Sequence, residues 1–183
     1  MRSDFLLAIF VVSCTNMPLS TCTAPGRGTH WYLREFLNTT EGIWTYASTS
    51  TRTVTCEVNK MKYISTSEII YQRKFLWGEK RCEVDLQGQF FRSYDDRMTV
   101  QSPSKRHMCT EVLLYLAEDL SCGVFKIVKS QATYEKLRFD VRVRNSSLVR
   151  AEPHVECRRH FNRARRPRLP YHLYSPRCQH VFL

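Results

Sequence analysis

The sequence predicts an all-β domain: eight short antiparallel strands closing into a barrel, with a short helix before the first strand and a helix after the last, packed on the barrel wall. Three observations carry this. Leu137 to Arg144 alternates strictly, with Leu137, Phe139, Val141 and Val143 on one face and Arg138, Asp140, Arg142 and Arg144 on the other, which is the period of a pleated strand. Two apolar runs, Thr110 to Ala117 and Cys122 to Val128, flank the polar turn Glu118 to Ser121 and read as a hairpin feeding that strand. Turn signals recur at hairpin spacing through the rest of the chain, with no helix-sized insert between them. Eight strands that close leave no free edge and enclose room for one small ligand.

The elements follow in order. Arg2 precedes eight consecutive apolar residues, Phe5 to Val12, and small polar residues run on to Ala24. This is the layout of a secretory signal peptide over 1–24, its apolar run too short to span a bilayer, and it leaves 25–183 as one extracellular domain. Removing the leader takes away Cys14 and Cys22 and leaves Cys56, Cys82, Cys109, Cys122, Cys157 and Cys178, an even set that reads as a disulfide framework in an oxidising compartment. Arg34 to Asn38 forms the first helix, ending before Gly42. Ile43, Trp44 and Tyr46 supply the first strand, Thr53 to Val58 the second, Ser67 to Trp77 the third, Arg81 to Phe91 the fourth and Arg97 to Gln101 the fifth. After the eighth strand, Asn145-Ser146-Ser147 ends the sheet. Pro153 then opens a helix in which Val155, Cys157 and Phe161 share one face.

Composition narrows the function. Of 183 residues 43% are hydrophobic and nothing is of low complexity, so the chain can fill one core. The formal charge is +11, and eight arginines against Glu152 and Glu156 put +6 of it after residue 149. That basic tail reads either as a solvated loop or as an attachment surface for sulfated glycosaminoglycan or an acidic host protein, and Arg163 to Arg166 also matches the dibasic sites of secretory-pathway proteases. Neither a nucleic-acid nor a membrane partner is expected, since the chain is secreted, lacks a reading element and has no segment after the leader that could cross a bilayer. No nucleophile elbow, phosphate loop or carboxylate pair points to an enzyme. Cys157 and His160 have a metal-like spacing, but the six histidines form no ligand cluster, so neither metal nor cofactor is expected. Asn38-Thr39-Thr40 and Asn145-Ser146-Ser147 are glycosylation sequons.

Taken together, Trp44-Thr45-Tyr46, Ser48-Thr49-Ser50, Cys56, the hairpin with Cys122, the Asn145 turn, Pro153 with Cys157 and Phe161, and the final Tyr174-Ser175-Pro176-Arg177-Cys178 resemble the tick salivary lipocalins, the tick histamine-binding protein family. The resemblance covers about Leu33 to Cys178. It implies an eight-stranded lipocalin barrel, secretion in saliva, and stoichiometric capture of a small host inflammatory mediator. It implies pairing of Cys56 with Cys178 and of Cys122 with Cys157, which leaves Cys82 and Cys109 for a third bond.

The same resemblance implies ligand-facing positions at Trp44, Tyr46, Gly123, Phe125, Asp140 and Arg142. Amine-binding members carry Cys-Asp-aliphatic, then Glu-Leu-aromatic, then Cys. Here those places hold Cys122-Gly123-Val124, Asp140-Val141-Arg142 and Cys157, with the spacing kept and one carboxylate replaced by glycine. A biogenic amine of the histamine type is the first expectation for the ligand; a buried cation needs a carboxylate or an aromatic face, so that reading rests on Asp140, Trp44 and Tyr46. If the Asp140 face looks inward, Arg138 and Arg142 look inward too, and the cavity suits an anionic lipid such as a fatty acid or leukotriene. If Phe139, Val141 and Val143 look inward instead, the charges are solvated; a one-residue slip exchanges the faces. A protein-binding inhibitor of complement or coagulation, acting through the barrel surface, is the remaining reading.

Overall fold

A computed structural model describes residues 32–50, 54–104, 106–130, 137–150 and 152–182. The expected leader, 1–24, lies outside them. Helix α1 (Leu33–Leu37) precedes strands β1 (Ile43–Ser48), β2 (Val54–Ile64), β3 (Glu68–Trp77), β4 (Lys80–Phe91), β5 (Tyr94–Gln101), β6 (His107–Leu116), β7 (Cys122–Lys129) and β8 (Leu137–Arg144). A 3-10 turn (Asn145–Arg150), α2 (Val155–Ala164), β9 (Tyr171–His172) and α3 (Arg177–Phe182) complete the chain. Each strand from β2 to β8 pairs antiparallel with the next, β8 pairs with β1, and β1 returns to β2, so the eight-stranded sheet closes as expected. Among the described residues no helix is long and apolar enough to cross a membrane.

Closure is thin at one seam. Among the described residues the rungs joining β1 to β2 are Ile43 opposite Asn59 and Trp44 opposite Val58. Beyond those rungs Cys56 adopts a φ of 54° and the register with β3 slips between Thr55 and Val58. Left-handed backbone is unfavourable for a residue with a Cβ. Its effect here is to turn the Cys56 side chain to the outer face, where it is bonded to Cys178. The returning tail then fills the gap: β9 pairs with Ala47 and Ser48, and the Cys56 amide donates to the Leu173 carbonyl at 2.7 Å.

The strands carry a core on each face. Outside the barrel, Val124, Phe139, Val141 and Val143 lie under α2, which contributes Cys157 and Phe161 and is tied down by the Cys122–Cys157 bond. Val155 does not share that face; it is the first helical residue, reached before the chain meets the wall, and it is half exposed. Inside, Ile69, Leu86, Met98, Val100, Leu113 and Ile127 pack against Leu33 and Phe36 of α1, which plugs one end. Arg144 fixes that plug by donating to the carbonyls of Glu35 at 2.8 Å and Phe36 at 2.9 Å.

Both disulfides implied by the family resemblance are present, and the third is not. Cys82 and Cys109 are free thiols. Cys82 lies near the start of β4, before the first rung with β5, Gln87 opposite Gln101, whereas Cys109 is locked between Val100 and Lys129. No strand pairing therefore brings the two sulfurs together. Burial, then the nearby Glu111, push the Cys109 thiol up to about 12. β2 also runs on to Ile64 rather than ending at Val58, and the short elements β9 and α3 appear in the tail.

Candidate functional site

The charged face of β8 points inward. Asp140 is opposite Ser48 and Phe125, Arg142 is opposite Thr45 and Gly123, and Asp140 and Arg142 are fully buried. Bare charges in such a place would be prohibitively costly, so they must be paired. Arg142 donates to both oxygens of Glu111 on β6, at 2.5 Å and 2.9 Å, and to Asp140 at 3.5 Å. Arg138 donates to Asp140 Oδ2 at 2.7 Å and to Glu57 on β2 at 3.3 Å. Arg73 on β3 reaches Asn59 at 2.8 Å and Glu111 at 3.4 Å, and the Thr45 hydroxyl donates to Glu57 at 2.7 Å. Three guanidiniums and three carboxylates from β2, β3, β6 and β8 thus form one neutral plug across the barrel.

This plug divides the interior unequally. On the α1 side remains a void of about 10 Å³ lined by Asn59, Tyr71 and Arg142, the size of a single water. Among the described residues the Tyr71 hydroxyl and Arg142 Nε have no hydrogen-bond partner. On the other side a chamber of about 310 Å³ opens at the end of the barrel formed by the β3–β4 turn and the start of β6, large enough for a small ligand. Val54, Phe75, Trp77, Val84, Leu86 and Met108 are its apolar walls, while Glu57, Arg73 and Arg138 are its charged floor. Leu173, from the tail that fills the seam, adds to the wall.

The candidate positions separate into three groups. Asp140 and Arg142 face inward but are sealed within the plug and do not line the chamber. Phe125 and Gly123 also lie on the inner face, below the chamber: Phe125 packs against Phe36 and lies 4.4 Å beneath the Arg142 guanidinium. A Cβ at Gly123 would come within 3.0 Å of Leu113 and 3.1 Å of Phe125, so the carboxylate of the amine motif would fit there only if both side chains gave way by a few tenths of an ångström. Trp44 and Tyr46 are on the outer face, and the expected site built on them is not formed. β1 gives its inner positions to Thr45 and Ser48, and the bulge between Thr45 and Ala47 keeps Tyr46 outside. Trp44 donates to Asn145 Oδ1 at 2.9 Å and packs on Tyr174, and Tyr46 stacks edge-on with His172 in a surface cleft bordered by α2. The sequon residue Asn38 is exposed; the Asn145 carbonyl is engaged by both Trp44 and Gln179.

Glu57, Arg73 and Glu111 were not among the candidates. Glu111 carried a signal, being a single acid at the head of the run Val112 to Leu116. Glu57 and Arg73 sit in mixed polar stretches that give none.

Electrostatics holds the plug in one charge state. Burial alone would raise the carboxyl of Glu111, but Arg142, Arg73 and Arg138 outweigh it and hold it at about 2. Glu57 is likewise held at about 2 by Arg73, Arg138 and Arg142 against its burial. Carboxyls lowered in the fold stabilise it above the unfolded pKa of roughly 4.3 and cease to do so as pH falls towards 2. Urea midpoints are therefore expected to be flat from pH 7 to 5 and to fall steeply between about pH 4.5 and 2. Glu111→Gln should show a lower midpoint at pH 7 and a shallower acid limb.

Comparison with known proteins agrees with this architecture. No family model matches the chain, and no curated protein sequence does either. Solved structures do. AM182 in its serotonin complex has a TM-score of 0.60 at 15% identity, covering 79% of this chain and 90% of that one. Japanin from Rhipicephalus appendiculatus, bound to cholesterol, has a TM-score of 0.56 at 9% identity, covering 76% and 96%. The siderocalin Ex-FABP, described as having dual ligand specificities, has a TM-score of 0.57 at 11% identity, covering 74% and 93%. The fold is a lipocalin barrel.

Proposed function

We propose that this chain is a secreted lipocalin of the tick salivary type that sequesters a small amphiphile with an anionic head, in the manner of a fatty acid or lipid mediator, and so removes a host signal from the feeding site. The observation that carries this reading is the floor of the chamber. Arg73 and Arg138 stand there against one carboxylate, Glu57, beneath walls of apolar side chains. A carboxylate head entering from solvent meets two guanidiniums already anchored by Asn59, Glu111, Asp140 and Glu57, so little ordering remains to be done on binding.

Capture of a biogenic amine is the second reading. Glu57 lines the same chamber as Phe75 and Trp77, a carboxylate and two aromatic side chains of the kind a cation needs, and AM182 is a serotonin complex. Asp140 does not serve this reading, being bonded by Arg138 and Arg142.

Calorimetric titration of the disulfide-intact protein with arachidonate, a leukotriene, histamine and serotonin separates the two. Expected is one-to-one binding of the anionic lipids, weakened by about 10- to 100-fold in Arg73→Gln, as loss of a charged hydrogen bond predicts. Binding of an amine alone, abolished by Glu57→Gln, would replace the first reading with the second.

A further inference from the structure

We infer that the open end of the barrel docks on an anionic phospholipid surface. The ligand would then enter the chamber from the bilayer it dissolves in. The ligand's identity rests on the reading above; the docking rests on the rim itself.

Strand register puts four separate pieces of chain at this end: the β3–β4 turn, the start of β6, the end of β7 and the segment leading into β9. Each presents a large apolar side chain to solvent. Trp77 is 53% exposed and Leu169 72% exposed, with Met108 and Val128 between them. A Trp with its ring at the rim of an apolar opening is suited to a lipid interface. Basic groups stand among them: Lys80 and Arg81 beside Trp77, and Arg166 and Arg168 beside Leu169, all exposed.

The two arginines are held in place. Arg165 donates to Asn162 Oδ1 at 2.9 Å and to the Arg168 carbonyl at 2.7 Å, which fixes the turn that carries Arg166. The Arg168 guanidinium lies 5.7 Å from the Phe139 ring near the open end of β8. Among the described residues no carboxylate pairs with Arg166 or Arg168, since Glu152 and Glu156 are taken by Arg158 and Arg159. Among the described residues the exposed acids at this end are Glu79 and Glu83, and Glu83 is bonded to Lys74.

The opposite end supplies the contrast. Tyr32, Tyr63, Phe91 and Tyr94 are exposed there as well, but among the described residues of that end the acids Glu35, Glu41, Glu68, Asp95, Asp96, Glu118 and Asp119 outnumber the bases Arg34, Lys62, Arg92, Arg97 and Arg144. Apolar exposure is therefore common to both ends of the barrel, and charge distinguishes them. Among the described residues the open end sets its exposed apolar side chains amid an excess of basic groups and the opposite end amid an excess of acids, and the former is the pairing that draws a protein to an anionic leaflet.

Flotation with phosphatidylcholine vesicles, with and without phosphatidylserine, tests the inference. The full chain is expected to float only with the serine lipid and to be released by high salt. The triple variant Lys80→Glu, Arg166→Glu, Leu169→Ser removes four charge units and should lose partitioning by roughly several hundredfold, at about fivefold for each unit. None of the three residues lines the chamber, so titration of arachidonate without vesicles should give the wild-type result. That second measurement keeps the two ideas apart, because a wrong ligand assignment leaves flotation intact. Equal flotation of variant and wild type, equal flotation with neutral vesicles, or retention on heparin with no vesicle binding would overturn the docking; the last would assign the basic rim to a sulfated polysaccharide.

Discussion

Arg142→Ala is expected to destabilise the fold by about 3–5 kcal/mol, the usual cost of removing one member of a buried charge group and leaving its partners uncompensated. Arg142 is fully buried, bonds both oxygens of Glu111, and reaches Asp140, which is as buried as itself. Removing it leaves Glu111 with only the 3.4 Å contact to Arg73. The informative comparison is the double variant Arg142→Met, Glu111→Leu. It leaves two guanidiniums, Arg73 and Arg138, facing two carboxylates, Glu57 and Asp140, and should recover most of the loss, because neutral apolar replacements of a buried pair are well tolerated. Urea unfolding at pH 7 measures both, with the slope unchanged if the unfolded states are comparable. A single-variant cost below about 1 kcal/mol would mean that water reaches the plug, and the sealed-plug description would fail.

Breaking the two disulfides should have unequal effects. Cys56–Cys178 spans 122 residues and Cys122–Cys157 spans 35, worth about 5 and about 4 kcal/mol in the chain-entropy model. The longer tie has a second role. It holds the tail segment whose Leu173 carbonyl accepts from Cys56 and whose side chain walls the chamber. Cys56→Ser, Cys178→Ser is therefore expected to lose ligand binding at a lower urea concentration than Cys122→Ser, Cys157→Ser, in addition to the larger drop in midpoint. Equal ligand loss in the two variants would show that the tail does not seal the seam.

The barrel was legible because its strands announce themselves one at a time. β8 alternates along its whole length and β6–β7 is bounded by an unmistakable polar turn, so element type and order follow from local pattern. The facing of β8 was not legible. Alternation is symmetric between its two faces, and what decides is whether carboxylates from elsewhere meet the guanidiniums inside. Those carboxylates, Glu57 and Glu111, are 81 and 31 residues away, and nothing near Arg138 points to them. Trp44 and Tyr46 misled for a related reason. The C-terminal elements cover the outer wall, so apolar residues on either face of β1 are buried and aromatic character no longer marks the interior. The last two elements escaped notice because β9 has two residues and α3 six, too few to show a period.

The charged plug also bears on how this protein can diverge. The residues that set the depth of the chamber are the ones whose mutual pairing keeps the barrel folded, so deepening the pocket by one substitution passes through an unstable intermediate. The walls are under no such constraint. Val54, Val84 and Met108 touch the chamber without belonging to the plug, and each can change size alone at modest cost. Descendants of this sequence should therefore differ in the girth and lining of the opening while keeping its floor. New specificities would arise from the rim downward, within a fixed depth.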